Sequence, residues 1–234
     1  MKTADRTLRS IVERIANGSY RVGRELPAES DIAAELGVSR LSVREAMREL
    51  IADGVIEAQQ GRRHRIAPTD RWSVQSRELA TAVEALEGGS DRLITELLEA
   101  RHIAEVEICR LAAQRITDDQ LEAMAQHVQT MAATRDSMDE HTIARNVAAD
   151  LAFHQVILDA AQNRFLSSSM RPLRAMLSAV RERTSQSPQV RSDALHHHQQ
   201  ILNALTSRTP EAAAAAMAAH MRQTREASKG LSLN

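Results

Sequence analysis

The chain is poor in the residues that usually announce an extracellular scaffold or a membrane protein. Its single cysteine excludes a disulfide framework and suits a reducing compartment. No run of about 18 apolar residues is present, which excludes a membrane span. The charged N-terminus lacks the apolar core of a signal peptide. These absences lead us to expect a soluble cytoplasmic protein with no membrane partner.

Excess charge of one sign is also missing. The net charge is −1, which argues against a chain-wide polyanion binder but allows a local basic face. Aromatic residues make up only 2% of the chain, while alanine is abundant and apolar residues recur every three or four positions. That periodicity indicates a mainly α fold. At 234 residues, the chain has room for one large domain or two modest ones.

Residues 26–66 predict a winged helix-turn-helix. A short helix at 30–36, with Ser30 as its N-cap, is stopped by Gly37, and Ser39 caps a second helix. Two short strands at 55–58 and 63–67 follow as a small β-wing. An earlier helix spans 7–17, and a linker covers 68–71. We therefore assign residues 1–69 to a winged helix-turn-helix DNA-binding domain and residues 70–234 to a helical domain.

The second part of the chain shows only helical patterns, so we expect an all-α bundle of six or seven helices. Pro172 falls inside one pattern and should kink that helix. The predicted helices cover 74–87, 91–116, 118–135, 141–162, 164–184, 189–207 and 210–228.

The second helix of the N-terminal motif has the chemistry of a DNA-reading helix. Arginines can bind guanine edges or phosphates through two N–H groups, and serines can donate to phosphate. A solvated charged helix face is the alternative reading. The glycine turn, the serines and a basic wing together favour DNA. The predicted contacts are Ser39, Arg40, Ser42, Arg44 and Arg48 on the helix, with Arg62, Arg63 and His64 on the wing.

Residues 7–67 resemble the winged helix-turn-helix of the GntR family of bacterial transcription regulators. The resemblance rests on Leu26-Pro27, Leu36 to Arg40 and Val43 to Ala46, which occur in the family's order. It implies a homodimer bound to a palindromic DNA operator. Two departures stand out. Ser30 replaces an arginine that often contacts DNA in relatives, and the wing reads GRRHRI where small residues are usual.

One spacing in the helical domain suggests a metal site. Asp150 and His154 are four residues apart, so on a helix they project from one face and can share a divalent ion. The triplet at 196–198 and His220 are further candidate ligands. The alternative is that these are ordinary core histidines bonded to Asp150 or to backbone. Spacing alone leaves both readings open.

Residues 91–227 resemble the FCD effector domain found in the FadR subfamily. The resemblance implies a divalent metal held by Asp150, His154, His198 and His220, with Arg101 and Asn163 at the effector pocket. Whether His197 substitutes for His198 stays open. Histidines at these places argue against a fatty-acyl-CoA sensor. Zinc is the first choice of metal, and Ni, Mn, Fe and Co also suit this ligand set.

We therefore expect a sequence-specific transcription regulator, with repression relieved by a small organic acid bound at the metal. A metalloenzyme fused to a DNA-binding domain is one alternative, but no H-E-x-x-H helix or clear general base is present, so no enzyme is expected. A constitutive DNA-binding protein with a structural metal is another. Turnover assays would separate the first alternative from regulation, and operator titrations with acids would separate the second.

Overall fold

A computed structural model describes residues 3–58, 63–88 and 92–229, and most of these residues are helical. The described residues form two units, one up to residue 88 and one from residue 92 onward. The expected mainly α fold with a small wing is confirmed. Within these residues, no helix combines the length and apolarity that crossing a bilayer requires.

The N-terminal unit is a three-helix core with a two-stranded antiparallel wing and a fourth helix. Ile56 pairs with Ile66 and Glu57 with Arg65 in the wing. Buried faces of the helices meet around Ile11, Ile32 and Leu50. The elements are α1 (Thr3–Ala16), α2 (Glu29–Leu36), α3 (Arg40–Ala52), β1 (Ile56–Glu57), β2 (Arg65–Ile66) and α4 (Arg77–Leu86).

The start of α2 differs from the sequence expectation, because Ser30 is not its N-cap. Ala28 is the N-cap and makes no side-chain capping bond. Its carbonyl accepts from the amides of Asp31 and Ile32, so the first turn is closed before Ser30 can cap it. The Ser30 hydroxyl instead donates to Asp31 Oδ1 at 3.2 Å. Ser30 lies within the first turn of the helix.

The expected linker at 68–71 is also structured. Thr69–Arg71 forms a 3-10 turn, and the Trp72 that follows is buried, with its Nε1 donating to the carbonyl of Ala67 at 3.0 Å. Helix α4 then packs against α1, with Arg9 NH2 lying 2.7 Å from a Glu78 carboxylate oxygen. The N-terminal unit therefore extends about twenty residues beyond the boundary that we expected at residue 69.

The C-terminal unit is a bundle whose helix ends carry recognisable signals. Thr117 and Gln120 form a reciprocal capping box, and Pro188 and Pro210 occupy first turns. The expected kink at Pro172 appears as a 3-10 turn, Arg171–Leu173. The helices are α5 (Arg92–Arg115), α6 (Asp118–Thr134), α7 (Glu140–Ala160), α8 (Arg164–Met170), α9 (Arg174–Thr184), α10 (Pro188–Thr206) and α11 (Pro210–Ala227).

Phe153 on α7 lies at the centre of this bundle and is fully buried. Apolar side chains such as Ile108, Ile201 and Met217 surround it from α5, α10 and α11. Its ring also packs edge-on against His198, with ring centroids 4.8 Å apart. The apolar core thus ends at a histidine cluster, which α7, α10 and α11 carry together.

Candidate functional site

Helix α3 carries the candidate DNA-reading surface. Gly37 ends α2 at φ 65°, a conformation that glycine adopts without steric cost. Ser39 then caps α3, its Oγ accepting from the amide of Ser42 at 3.1 Å. The two serine hydroxyls lie 2.9 Å apart. The turn and the cap fix the direction of α3 and place two of the predicted DNA-contacting hydroxyls side by side at its start.

The predicted arginines on α3 are all exposed, as a DNA-contacting face requires: Arg40, Arg44 and Arg48. Arg44 Nε lies 3.4 Å from Glu29 Oε2, a surface pair that DNA phosphate can compete with. Leu41 was not part of the prediction, yet its side chain is 65% exposed between these polar residues. An exposed apolar side chain on such a helix can contact a thymine methyl group.

The wing residues differ in exposure and in hydrogen bonding. Arg63 is exposed, and His64 is half-buried, with its carbonyl accepting from the amide of Leu26 at 2.8 Å. Arg65 donates through Nε to a turn carbonyl at 2.6 Å, which gives it a structural role. Arg62 lies outside the described residues. The DNA contacts assigned to Arg63 and His64 stay predictions.

The four residues expected to bind metal converge in the C-terminal unit. Asp150 and His154 come from α7, His198 from α10 and His220 from α11. One potential ligand atom from each lies within 4.8 Å of all the others. His198 and His220 are buried, and the other two are nearly so. Of the triplet, His198 enters the cluster, His197 is half-buried beside it and His196 is exposed.

The close approaches within the cluster join its imidazole nitrogens to one another and to a carboxylate oxygen. His154 Nε2 lies 3.2 Å from His220 Nε2 and 3.3 Å from His198 Nε2. Asp150 Oδ1 lies 3.3 Å from the Nε2 atoms of both His154 and His198. Three imidazole nitrogens and a carboxylate oxygen therefore point at one small volume.

Burial favours the neutral form of two histidines of the cluster. It lowers the pKa of His198, although Asp150 opposes this shift. Burial, reinforced by the neighbouring His198 and His154, holds the pKa of His220 well below its ordinary value. Neutral imidazole is the form that binds metal. These histidines are therefore ready to act as ligands at neutral pH.

Glu105 and Arg101 support His154 from α5. Glu105 Oε2 lies 2.6 Å from His154 Nδ1, and Glu105 Oε1 accepts from Arg101 Nε. Arg101 is only 1% exposed, and its NH2 lies 3.3 Å from His154 Nε2. Burial would raise the pKa of Glu105, but the Arg101 charge and His154 outweigh it, so the carboxyl stays ionised. Arg101 therefore borders the cluster, and the effector contact that the resemblance implies for it stays a prediction.

Arg181 on α9 is a site residue that the sequence analysis missed. Its Nε donates to Asp150 Oδ2 at 2.5 Å, while Asp150 Oδ1 faces the histidines. Burial would raise the pKa of Asp150, but Arg181 and the bonds from the histidines hold it well below its ordinary value. Residue 181 follows a break in the helical pattern, and no local signal links it to residue 150.

Asn163 has a different position from the one expected. It is the N-cap of α8, and its Oδ1 accepts from the amides of Phe165 and Leu166. It does not line the cavity beside the cluster. Described residues that line this cavity include Arg101, Asn146, Asp150, Arg181, Arg191, His198 and His220. Asn163 therefore acts through the start of α8, and direct effector contact is not what its geometry favours.

A helix-turn-helix with a wing, joined in one chain to a helical unit that encloses an Asp-His cluster, is the architecture of a DNA-binding regulator with a separate helical domain. Family comparisons agree with this class. The family described as "FCD domain" matches residues 96–223, and the family described as "Bacterial regulatory proteins, gntR family" matches residues 3–66. The chain belongs to the GntR family and carries an FCD domain.

Curated relatives extend over nearly the whole chain. The galactonate operon transcriptional repressor of Escherichia coli K12 is 27% identical over 91% of this chain and 91% of its own length. The Glc operon transcriptional activator of the same strain is 29% identical over 93% of this chain and 85% of its own. A solved structure of Streptococcus agalactiae GntR is 28% identical, covers 95% of this chain and 99% of its own, and has a TM-score of 0.50.

These families and relatives are transcription regulators, so the protein is a transcription regulator of the GntR type. The expectation that it is not an enzyme is confirmed on the same grounds.

Proposed function

We propose that this regulator is a metal-dependent sensor of a small carboxylate, which controls its binding to a DNA operator. The observation that carries the proposal is the convergence of one ligand atom each from Asp150, His154, His198 and His220 within 4.8 Å of one another. Such a cluster, buried beside an arginine-lined cavity, is what a cation and an anionic ligand require together.

The cluster fits a divalent metal. Zinc–nitrogen bonds of about 2.0–2.1 Å in a tetrahedral site place neighbouring ligand atoms about 3.3–3.4 Å apart. Four of the six separations between ligand atoms here are 3.2 or 3.3 Å, and all six lie within 4.8 Å. The donor set is three imidazoles and one carboxylate. It suits zinc first and also Ni, Mn, Fe or Co.

The surrounding residues would hold this site in shape. Glu105 Oε2 lies 2.6 Å from His154 Nδ1, while His154 Nε2 faces the cluster, and Arg181 donates to Asp150 Oδ2. A bound metal would supply a concentrated positive charge. Arg101, which lines the same cavity, would bind an oxygen of the effector carboxylate. Asn163 would affect the pocket indirectly, by capping α8.

The output of the switch is operator binding by the winged unit. We assign phosphate and base contacts to the exposed face of α3 and to the wing. A homodimer would place two such units on the two halves of a palindromic operator. The proposed contacts are Ser39, Arg40, Ser42, Arg44, Arg48, Arg62, Arg63 and His64.

The sign of regulation is proposed as repression relieved by the effector. One relative is named a repressor and another an activator, so the relatives' names do not decide it. The name of the first relative refers to galactonate, a hydroxy acid, which supports a carboxylate effector.

Two measurements test the proposal. A thermal-shift screen of small organic acids with zinc present should yield a hit that changes operator affinity in a gel-shift assay. His220→Ala should lower the metal-to-protein ratio by elemental analysis, whereas His196→Ala, on an exposed neighbour of the cluster, should not. An unchanged ratio in His220→Ala would refute the site. Normal metal content with no acid affecting operator binding would leave a structural metal as the explanation.

A further inference from the structure

Arg191 on α10 is a buried cation whose hydrogen-bond partners are all uncharged. Its side chain is 3% exposed. It donates through Nε to the carbonyl of Arg135 at 2.6 Å and through its terminal nitrogens to the carbonyls of Ser137 and Ser185. These bonds join the α6–α7 junction to the end of α9. They satisfy part of the guanidinium without neutralising it.

The other two buried arginines of the cavity are neutralised by direct partners. Arg101 pairs with Glu105, and Arg181 pairs with Asp150. Among the described residues, no carboxylate oxygen lies within 4 Å of the Arg191 guanidinium. Asp136 acts on it at longer range, but Asp136 is exposed and pairs with Arg135. One buried positive charge is therefore left without a direct counterion.

Arg191 also has unused hydrogen-bonding capacity. A guanidinium carries five N–H donors, and three of them are accounted for by the backbone carbonyls. Arg191 lines the cavity that Asp150, His198 and His220 also line. A divalent ion at the cluster would add two further positive charges to this cavity. A singly charged acid would leave most of that excess uncompensated in a poorly solvated place.

We propose that the effector is a dicarboxylate, with one carboxylate at the metal cluster beside Arg101 and the second bound by Arg191. This inference rests on the proposed function and specifies its ligand class. The second carboxylate would supply the counterion that Arg191 lacks and would engage its remaining donors.

The test compares acids that differ only at the end away from the hydroxy-acid group, where one has a carboxylate and the other a methyl group. Calorimetry on the full-length zinc-loaded protein would use 2-hydroxyglutarate against 2-hydroxypentanoate, and malate against 2-hydroxybutanoate. Each pair keeps the carbon count and the metal-facing hydroxy-acid group. We expect the dicarboxylate of at least one pair to bind roughly tenfold or more tightly, since a hydrogen bond to a charged group contributes at least that much.

Arg191→Gln should reduce that preference to near unity and leave zinc content and monocarboxylate affinity unchanged. Arg208→Gln is the matched control, because Arg208 also donates to a helix-end carbonyl, that of Ile116, and does not line the cavity. If Arg191→Gln fails to fold, the comparison of acids on the unmodified protein decides alone.

Equal binding of both acids in each pair would overturn the dicarboxylate inference and leave a carboxylate sensor intact. A preference that survives in Arg191→Gln would also overturn it, because the second carboxylate would then be held elsewhere. If none of the four acids binds the zinc-loaded protein, both the inference and the proposed function fail.

Discussion

Glu105 is the residue that orients His154, and its effect can be measured separately from metal ligation. Replacing it in Glu105→Gln keeps the size but removes the charge that faces His154 Nδ1 at 2.6 Å. We expect metal affinity to fall by roughly ten- to a hundredfold, as is usual for partners of ligating histidines. Competition with a chelator measures this. Glu107→Gln, on an exposed residue of the same helix, is the control, and an equal loss in both variants would contradict the assignment.

Cys109 gives a pH-dependent prediction. It is fully buried, and burial raises the pKa of its thiol to about 12. A free thiol ionises near pH 8.5, so between pH 7 and 10 the unfolded chain gains thiolate while the native thiol stays protonated. We expect a thiol reagent to react slowly with the native protein across this range and faster with rising pH in urea. A native rate that rises equally with pH would show that Cys109 is exposed.

At this scale the sequence predicts the candidate metal ligands better than the residues that contact those ligands. Asp150 and His154 follow from helical spacing, which is local. The pairing of Arg181 with Asp150 joins residues 31 positions apart across a chain reversal, and periodicity carries no information about it. Asn163 differs from its expected role. The family resemblance implied a position near the pocket, whereas the side chain of Asn163 caps α8.

At the scale of elements, two glycines of the winged unit allow the cost of backbone strain to be compared with the cost of a steric clash. Both have positive φ, 65° at Gly37 and 72° at Gly54. A Cβ on Gly37 would meet no atom within 4 Å, whereas a Cβ on Gly54 would press into the backbone carbonyl of Arg71. We expect Gly37→Ala to cost about 1–2 kcal/mol and Gly54→Ala about 1–3 kcal/mol more.

The single tryptophan makes this comparison direct. Trp72 is buried in the N-terminal unit, so its fluorescence during urea unfolding reports that unit rather than the FCD domain. Equal midpoints for Gly37→Ala and Gly54→Ala would refute the steric argument.

Most helices were predictable because caps and stops are local signals. Thr117, Gly37 and Pro210 mark ends where the structure has them. The prediction that Ser30 caps α2 was wrong, because the helix begins one residue earlier and the carbonyl of Ala28 accepts its first amide bonds.

At the scale of the whole molecule, the proposed control of operator binding by an acid must obey reciprocity. If an acid weakens operator binding by some factor, the operator must weaken binding of that acid by the same factor. We expect calorimetric affinity for the acid, measured with and without saturating operator DNA, to change by the factor seen in gel shifts. Unequal factors would mean that the acid acts on a different species from the one that binds DNA.

The position of the domain boundary was the largest difference at this scale. Residues 68–71 have the composition of a linker, but burial of Trp72 and packing of α4 on α1 are tertiary facts. Helix α4 reads as helical from the sequence, and nothing local assigns it to one unit or the other.

The attachment of α4 to α1 has a practical consequence for building hybrid sensors. A chimera that joins the N-terminal unit of this chain to another C-terminal domain after residue 69 would discard α4 and expose the face of α1 that α4 packs on. A junction between residues 88 and 92 keeps the contact between Arg9 and Glu78 and the apolar face of α4 in place. Modular exchange in such regulators should therefore follow the packing of this helix and not the end of the wing.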